Sequence, residues 1–352
     1  MKTLVVTGDV GGAKCVFTCL QKLQESSEVY VVENGFISTQ KSKLKNINWI
    51  EGSFDSVVDF LDKEEINNLL FSTSVHDKLA LRIARVCKEL GIKTYCLLDN
   101  WMNYRYRLEM DGEGLFSPTK YLVMDKIAFD ESVKEGISKD ILEVVGQPCL
   151  SNMSEYLKNK VKDGKKESRL EKRIGFVCEP VENDQGRDSQ NPNFRGYTEF
   201  DVLNHLFNFF EKVPDVKVLI LAHPRNELEK LKDYVKKNSK GVRNEIVQNM
   251  DSLSLLLNCD GVVGMSSILL YQSWLLGKNV ISLQPGLVSD KFNFLENFNG
   301  IMCNKTAESI SIDLGIWMKR LNEGDNLPQI ELIGQHERAI QNILEVIKNS
   351  DL

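Results

Sequence analysis

Val216-Lys217-Val218-Leu219-Ile220-Leu221-Ala222-His223-Pro224-Arg225 runs from an apolar strand straight into a polar corner. Gly261-Val262-Val263-Gly264-Met265-Ser266-Ser267 does the same just ahead of a helical stretch. Short, uniformly apolar runs of this kind are the mark of strands buried on both faces of a parallel sheet. Both segments therefore place hydrogen-bond donors at the carboxyl end of a parallel strand, where open α/β sheets bind ligands. His223, Pro224 and Arg225 offer an imidazole and a permanent charge. Ser266 and Ser267 offer two hydroxyls beside the free amides of a helix start, although capping needs only one. Both arrangements suit a phosphate.

The same pattern extends outward in both directions. Apolar runs at 4–7, 29–32, 69–72, 94–98, 121–124 and 142–145 read as buried strands, with helical patterns such as 78–90 and 126–135 between them. After a polar, basic segment between Lys158 and Arg173 the alternation restarts, with strands at 174–178, 216–222, 261–263, 280–283 and 301–303 and helices at 198–212, 227–236 and 267–276. Alternating strands and helices predict an α/β chain of two Rossmann-like, doubly wound domains facing a central cleft. The expected boundaries are an N-terminal domain at 1–160 and a C-terminal domain at 161–334. A last helix, within 335–352, carries Ile340, Ile343, Leu344 and Ile347 near helical spacing and is expected to fold back onto the N-terminal domain.

Composition narrows the class. The chain has 352 residues, 42% of them hydrophobic, enough for two cores. Its net charge of -6 lacks the basic footprint of a nucleic-acid binder. Eight cysteines lie scattered through apolar runs without a Cys-x-x-Cys pair, which argues for reduced thiols and against a zinc site. No apolar run approaches the ~18 residues of a membrane span, and Met1–Thr7 enters a strand directly. A cytoplasmic protein is expected, with the basic segment as a candidate for peripheral contact at the inner face of the plasma membrane.

Further segments carry chemistry. Thr7-Gly8-Asp9-Val10-Gly11-Gly12 joins the first strand to the first helix, and Gly11 and Gly12 let the backbone approach a ligand closely. The spacing fits neither a dinucleotide fingerprint nor a Walker loop. Leu98-Asp99-Asn100-Trp101-Met102-Asn103-Tyr104-Arg105 brings a carboxylate to a strand end beside aromatics suited to stacking on a sugar and an arginine suited to an anion. Asp99 and Asp9 are the expected general bases, with Asp111 and Glu113 as competitors. Glu179 opens an irregular-looking polar stretch at 181–195 and is assigned with the C-terminal phosphate corners.

Taken together, these segments resemble the GT-B glycosyltransferase fold. Gly11-Gly12 is similar to the glycine loop of its acceptor-side domain, and Gly146-Gln147-Pro148 to the entry into its second domain. Gly277-Lys278-Asn279-Val280 resembles a recurring LGKPV segment, with Asn279 in place of proline. Within that fold, His223-Pro224 and Ser266-Ser267 resemble motifs of bacterial sialyltransferases and of related cytidine-donor transferases. No clean copy of the sialyltransferase acidic-acidic-Gly motif is present; Asp111-Gly112-Glu113-Gly114 is its loose echo.

The resemblance implies a metal-independent transferase with no cofactor. It would move a sugar from a nucleotide-sugar donor, a CMP-linked acidic sugar ahead of a UDP-sugar, to a glycan or glycoconjugate acceptor in surface polysaccharide biosynthesis. Glu179, His223, Pro224, Arg225, Ser266 and Ser267 would hold the donor. Gly11, Gly12, Trp101, Tyr104 and Arg105 would face the acceptor. Two alternatives stay open: a UDP-N-acetylglucosamine 2-epimerase-like enzyme of the same fold, and a non-catalytic nucleotide-sugar binding protein.

Overall fold

The computed structural model describes residues 1–74, 77–110, 112–162, 171–191, 193–248, 251–324 and 326–349. The chain divides into two compact units, Met1–Ser154 with Glu331–Leu352, and Glu155–Ile330. Much of the basic run between Lys158 and Arg173 lies outside the described residues.

The first unit is built on a seven-stranded sheet in which every neighbouring pair is parallel. Across the sheet lie Asn48–Ile50, Glu28–Val32, Lys2–Val6, Asn68–Phe71, Lys93–Leu97, Lys120–Val123 and Leu142–Val144. The chain thus begins in the middle and winds outward twice, with its switch point between Lys2–Val6 and Asn68–Phe71. Leu4, Val5, Val6, Leu69, Leu70 and Phe71 at that switch point are fully buried, because helices cover both faces. The first helix, Val10–Gln24, lays Ala13, Val16, Leu20 and Leu23 on the sheet.

The end of the chain completes the same core. Ala339–Asn349 inserts Ile343, Leu344 and Ile347 beside Val5, Leu70 and Leu97. Each such aliphatic side chain contributes about 1.5–3 kcal/mol on burial. Asn342 donates from Nδ2 to the Val145 carbonyl at 3.0 Å, which ties the helix to the strand end beneath it. The single helix expected from residue 335 onward is in fact two, Ile330–Glu337 and Ala339–Asn349.

The second unit repeats the topology with six parallel strands: Arg243–Val247, Val216–Ala222, Lys172–Cys178, Gly261–Gly264, Val280–Leu283 and Met302–Asn304. Its switch point lies between Lys172–Cys178 and Gly261–Gly264. Ile174, Phe176, Val218, Ile220, Val263 and Ile281 form the sheet side of the core, and Leu203, Phe207 and Trp317 pack against them. The stretch expected to be irregular at 181–195 opens with a short helix, Val181–Gln185. Side-chain amides order the rest: Gln185 Nε2 donates to the Tyr197 carbonyl at 2.6 Å, and Asn191 Nδ2 to the Gln185 carbonyl at 2.8 Å.

Candidate functional site

Each unit concentrates polar groups at its switch point. In the first unit, Thr7 and Ser72 follow the two central strands, and their hydroxyls hydrogen-bond at 2.7 Å. The first helix closes on this pair because Gly11 and Gly12 have no side chain. A Cβ on Gly12 would stand 1.9 Å from Ser72 Oγ, and one on Gly11 would stand 2.1 Å from Asp99 Oδ2. The point such a Gly11 Cβ would occupy also lies 3.8 Å from Asp9 Oδ2, so the two carboxylates converge on one place. The two glycines are spacers that let the helix start touch Ser72 and Asp99, which accounts for them without an acceptor.

Asp99 pairs with Arg107 at 2.6 Å between Oδ1 and Nη1, and the two side chains are 8% and 10% exposed. Arg107 also donates to the carbonyls of Thr73 at 2.8 Å and Met102 at 3.2 Å. Gln147, fully buried, donates from Nε2 to the Asp99 carbonyl at 2.7 Å. Asp9 precedes the first helix and makes no side-chain capping bond. Desolvation, and then the charge of Asp99, hold its carboxyl above the usual carboxylate range even though it reaches solvent. Arg107 gave no signal in the sequence that set it apart from Arg105; only the fold turns one inward and the other out.

The neighbouring aromatics have other roles than the ones expected of them. Trp101 is buried and donates from Nε1 to Asp125 Oδ2 at 2.8 Å, so its face is spent on the core. Tyr104 is buried as well, and burial pushes its hydroxyl well above the ordinary tyrosine value. Arg105 pairs with Glu109 at 2.5 Å on the surface. Burial of Trp101 and Tyr104 leaves neither ring exposed to stack on an acceptor, which corrects their assignment, while Arg105 stays exposed beside Glu109. Of the competing bases, Asp111 lies outside the described residues, and Glu113 pairs with Arg85 at 3.1 Å.

In the second unit, Glu179 follows the strand Lys172–Cys178 and reaches Ser266, just past the strand Gly261–Gly264. Its carboxylate accepts from the Ser266 amide at 2.6 Å and from the Ser266 hydroxyl at 3.2 Å. Desolvation raises its carboxyl above the usual range, with Arg195 and the Ser266 donors acting against the shift. Arg195 donates to Ser266 Oγ at 2.9 Å, lies 3.8 Å from Glu179 Oε1, and places its guanidinium 5.2 Å from the Phe292 ring centre. Ser267, not Ser266, caps Ile268–Leu275, accepting from the Leu269 amide at 3.3 Å.

The His223 corner is a closed turn. His223 Nδ1 accepts from the Arg225 amide at 3.1 Å, and the His223 amide donates to Asn226 Oδ1 at 2.7 Å. Arg225 forks onto both oxygens of Asp184 at the surface, so the charge expected to meet a phosphate is already paired. Pro224 is exposed and supplies only the shape of the turn. The cation at this switch point is Arg195, which the sequence hides inside a polar loop. Among the described residues no group of three or more His, Cys, Asp or Glu side chains could hold a metal, and no helix is long and apolar enough to cross a membrane.

Two doubly wound units of this kind match solved structures over nearly the whole chain. The UDP-GlcNAc 2-epimerase of Methanocaldococcus jannaschii superposes with a TM-score of 0.65, at 14% identity, over 99% of this chain and 100% of the other. The fold is GT-B. The UDP-GlcNAc 2-epimerase of Neisseria meningitidis, bound to UDP-GlcNAc, matches with the same TM-score and coverage at 12% identity. Anabaena HepE in complex with UDP-glucose matches with a TM-score of 0.57 at 11% identity, over 99% of this chain and 95% of the other. No family model and no curated protein matches the sequence.

These matches overturn the transferase reading. UDP-GlcNAc 2-epimerases recur among the solved structures that the chain matches, from archaeal and bacterial sources, and where a nucleotide is bound it is UDP or UDP-GlcNAc. The CMP-sugar donor and the glycan acceptor inferred from the His-Pro and Ser-Ser resemblance find no counterpart among them. Both motifs lie just past the ends of parallel strands in the second unit.

Proposed function

We propose that the chain is an enzyme that binds a UDP-linked amino sugar and inverts its C2 centre, a 2-epimerase-type reaction needing no second substrate. The convergence of Asp9 and Asp99 beside the first helix carries this reading. Inverting a carbon centre requires a group that takes a proton and a group that returns one. Two carboxylates in unequal surroundings suit that division of labour. Asp99, held by Arg107 and by the Gln147 amide, is the base. Asp9, whose affinity for a proton is raised, is the acid. The C2–H electron pair leaves by breaking the bond from C1 to phosphate, and re-addition of the phosphate with a proton on the other face completes the inversion.

The second unit supplies the nucleotide site in this reading. The diphosphate takes the Ser266 amide that Glu179 occupies in the free protein, and Arg195 turns from Glu179 to phosphate. Desolvation already raises the Glu179 carboxyl above the usual range, which favours its exchange for a phosphate. The likeness to UDP-GlcNAc-bound and UDP-glucose-bound structures supports uridine as the base.

Two measurements test the proposal. A thermal-shift panel of UDP, UMP, CMP, CDP, GDP and ADP should show UDP giving the largest stabilisation, since only a ligand bound to the folded state raises stability. Chromatography of UDP-GlcNAc incubated with the protein and no acceptor should resolve the 2-epimer. Preference for CMP, or an unchanged substrate, would reject it.

A further inference from the structure

We propose that Cys15 and Cys149 form a redox pair that closes to a disulfide when the protein meets a hydroperoxide, loosening the segment that carries Asp99. Cys15 lies on the first helix and Cys149 in the turn Pro148–Leu150, and their sulfurs are 3.1 Å apart across 134 residues of sequence. Both are free thiols; Cys15 is buried and Cys149 is partly open to solvent. The other cysteines of the chain lack this combination. Cys19 Sγ turns back to the Cys15 carbonyl at 3.4 Å, and Cys259 Sγ to the Leu255 carbonyl at 3.4 Å.

The accessible and the buried member divide the chemistry. A hydroperoxide reaches Cys149, whose thiolate attacks the outer oxygen; the O–O bond breaks, and with one proton from water the alcohol departs, leaving a sulfenic acid. Cys15 then attacks that sulfur. Its proton leaves with the hydroxyl as water, and the disulfide forms. Two thiols are oxidised and one peroxide is reduced. The hydrogen bond with Cys149, and then burial, push the Cys15 thiol up, so Cys15 stays protonated until the sulfenic acid is beside it. The sulfurs need approach only from 3.1 Å to the roughly 2.05 Å of a disulfide.

The pair is wired to the Asp99 segment. Cys15 Sγ donates to Gln147 Oε1 at 3.0 Å, and the same Gln147 amide donates to the Asp99 carbonyl at 2.7 Å. Disulfide formation removes the S–H, leaving Gln147 Oε1, which is buried, without that donor. The amide then turns to find another, and its hold on Asp99 weakens.

The test needs no assumption about the reaction the protein catalyses. Full-length reduced protein is treated with hydrogen peroxide, unfolded and alkylated, then analysed by intact mass and peptide mapping. Expected are a loss of two of the eight thiols, a cross-linked pair of peptides containing Cys15 and Cys149, and full reversal by dithiothreitol. Cys149→Ser, a change at a partly exposed position, should fold and show no such loss. Hydrogen exchange across residues 98–108 should be faster in the oxidised protein by up to about tenfold, the worth of one net hydrogen bond. A cross-link between Cys15 and Cys19, over-oxidation of Cys149 without a disulfide, or an equal thiol loss in Cys149→Ser would overturn the pair. A Cys15–Cys149 disulfide with unchanged exchange at 98–108 would overturn its coupling to Asp99.

Discussion

The two units share one topology, yet their switch points are filled in opposite ways. In the first, a hydroxyl pair, Thr7 and Ser72, sits under a helix start brought close by Gly11 and Gly12, and carboxylates crowd the space beyond. In the second, the Glu179 carboxylate occupies the amide of Ser266, just ahead of the helix cap Ser267, with Arg195 bracing it. The fold provides the location twice; the residues place two carboxylates together at one end and a carboxylate, a serine and an arginine at the other. In the reading proposed above, the first arrangement serves proton transfer and the second nucleotide binding.

The comparison breaks most readily at Asp99. Asp99→Asn keeps the size of the side chain and removes the base, so turnover of UDP-GlcNAc should fall by about 10²–10⁴-fold while UDP affinity, which belongs to the second unit, stays within error. A parallel loss of affinity in calorimetric titration would mean that the two ends are not separable. Next in size is Arg107→Met. It leaves Asp99 and the carbonyls of Thr73 and Met102 without their buried cation and should cost about 3–5 kcal/mol in chemical denaturation. A loss below 1 kcal/mol would show that the ion pair does not organise the segment.

Smaller effects sharpen the second unit. Arg195→Ala should weaken UDP binding by about 1.5–3 kcal/mol, the range for hydrogen bonds to charged groups, and Arg225→Ala should have little effect because Asp184 already holds its charge. The reverse ranking in titration would return the phosphate to the His-Pro-Arg corner.

A final, modest contrast lies in acid sensitivity. Burial lowers the His336 imidazole of the first unit to about 4, so its folded form binds a proton less readily than its unfolded form. The resulting stability is fully present above the unfolded value of 6.5 and is lost as pH falls toward the folded value. It amounts to about 3 kcal/mol at most. The stability gap between the wild type and His336→Asn, measured by urea unfolding, should shrink from pH 7 to pH 4. A constant gap would place His336 outside the acid response.

Much of the architecture was legible in the sequence, for a physical reason. Strands buried on both faces are mostly apolar, so runs such as Asn68–Phe71 and Val216–Ala222 announce themselves despite Asn68 and Lys217. Two of the four edge strands, Asn48–Ile50 and Arg243–Val247, went unread because their polar residues, left in solvent at an edge, break the apolar signature. The helix Val181–Gln185 was masked by Glu182, Asn183, Asp184 and Gln185. Asp9, Asp99, Glu179 and Ser266 stood out in the sequence because each is a polar residue just past an apolar strand.

What stayed hidden depends on tertiary partners. Nothing local distinguishes Arg107, turned inward to Asp99, from Arg105, paired with Glu109 outside. Nothing local assigns Arg195 to Ser266 across 71 residues of sequence. Trp101 and Tyr104 read as a stacking platform because aromatics beside polar groups look alike whether they meet a sugar or, as with Trp101, a buried Asp125. The function was misjudged by the same route: two short strand-end motifs were taken as the mark of one chemistry, whereas a fold hosts many.

Proton transfer at C2 is the central claim, and solvent deuterium tests it directly. UDP-GlcNAc should be incubated with the protein in D2O and followed by proton NMR. The account predicts that the C2 proton signal is lost as deuterium enters, that the 2-epimer appears alongside, and that Asp99→Asn slows both together. Retention of the C2 proton at full substrate integrity, or deuterium entry that Asp99→Asn leaves unchanged, would contradict it.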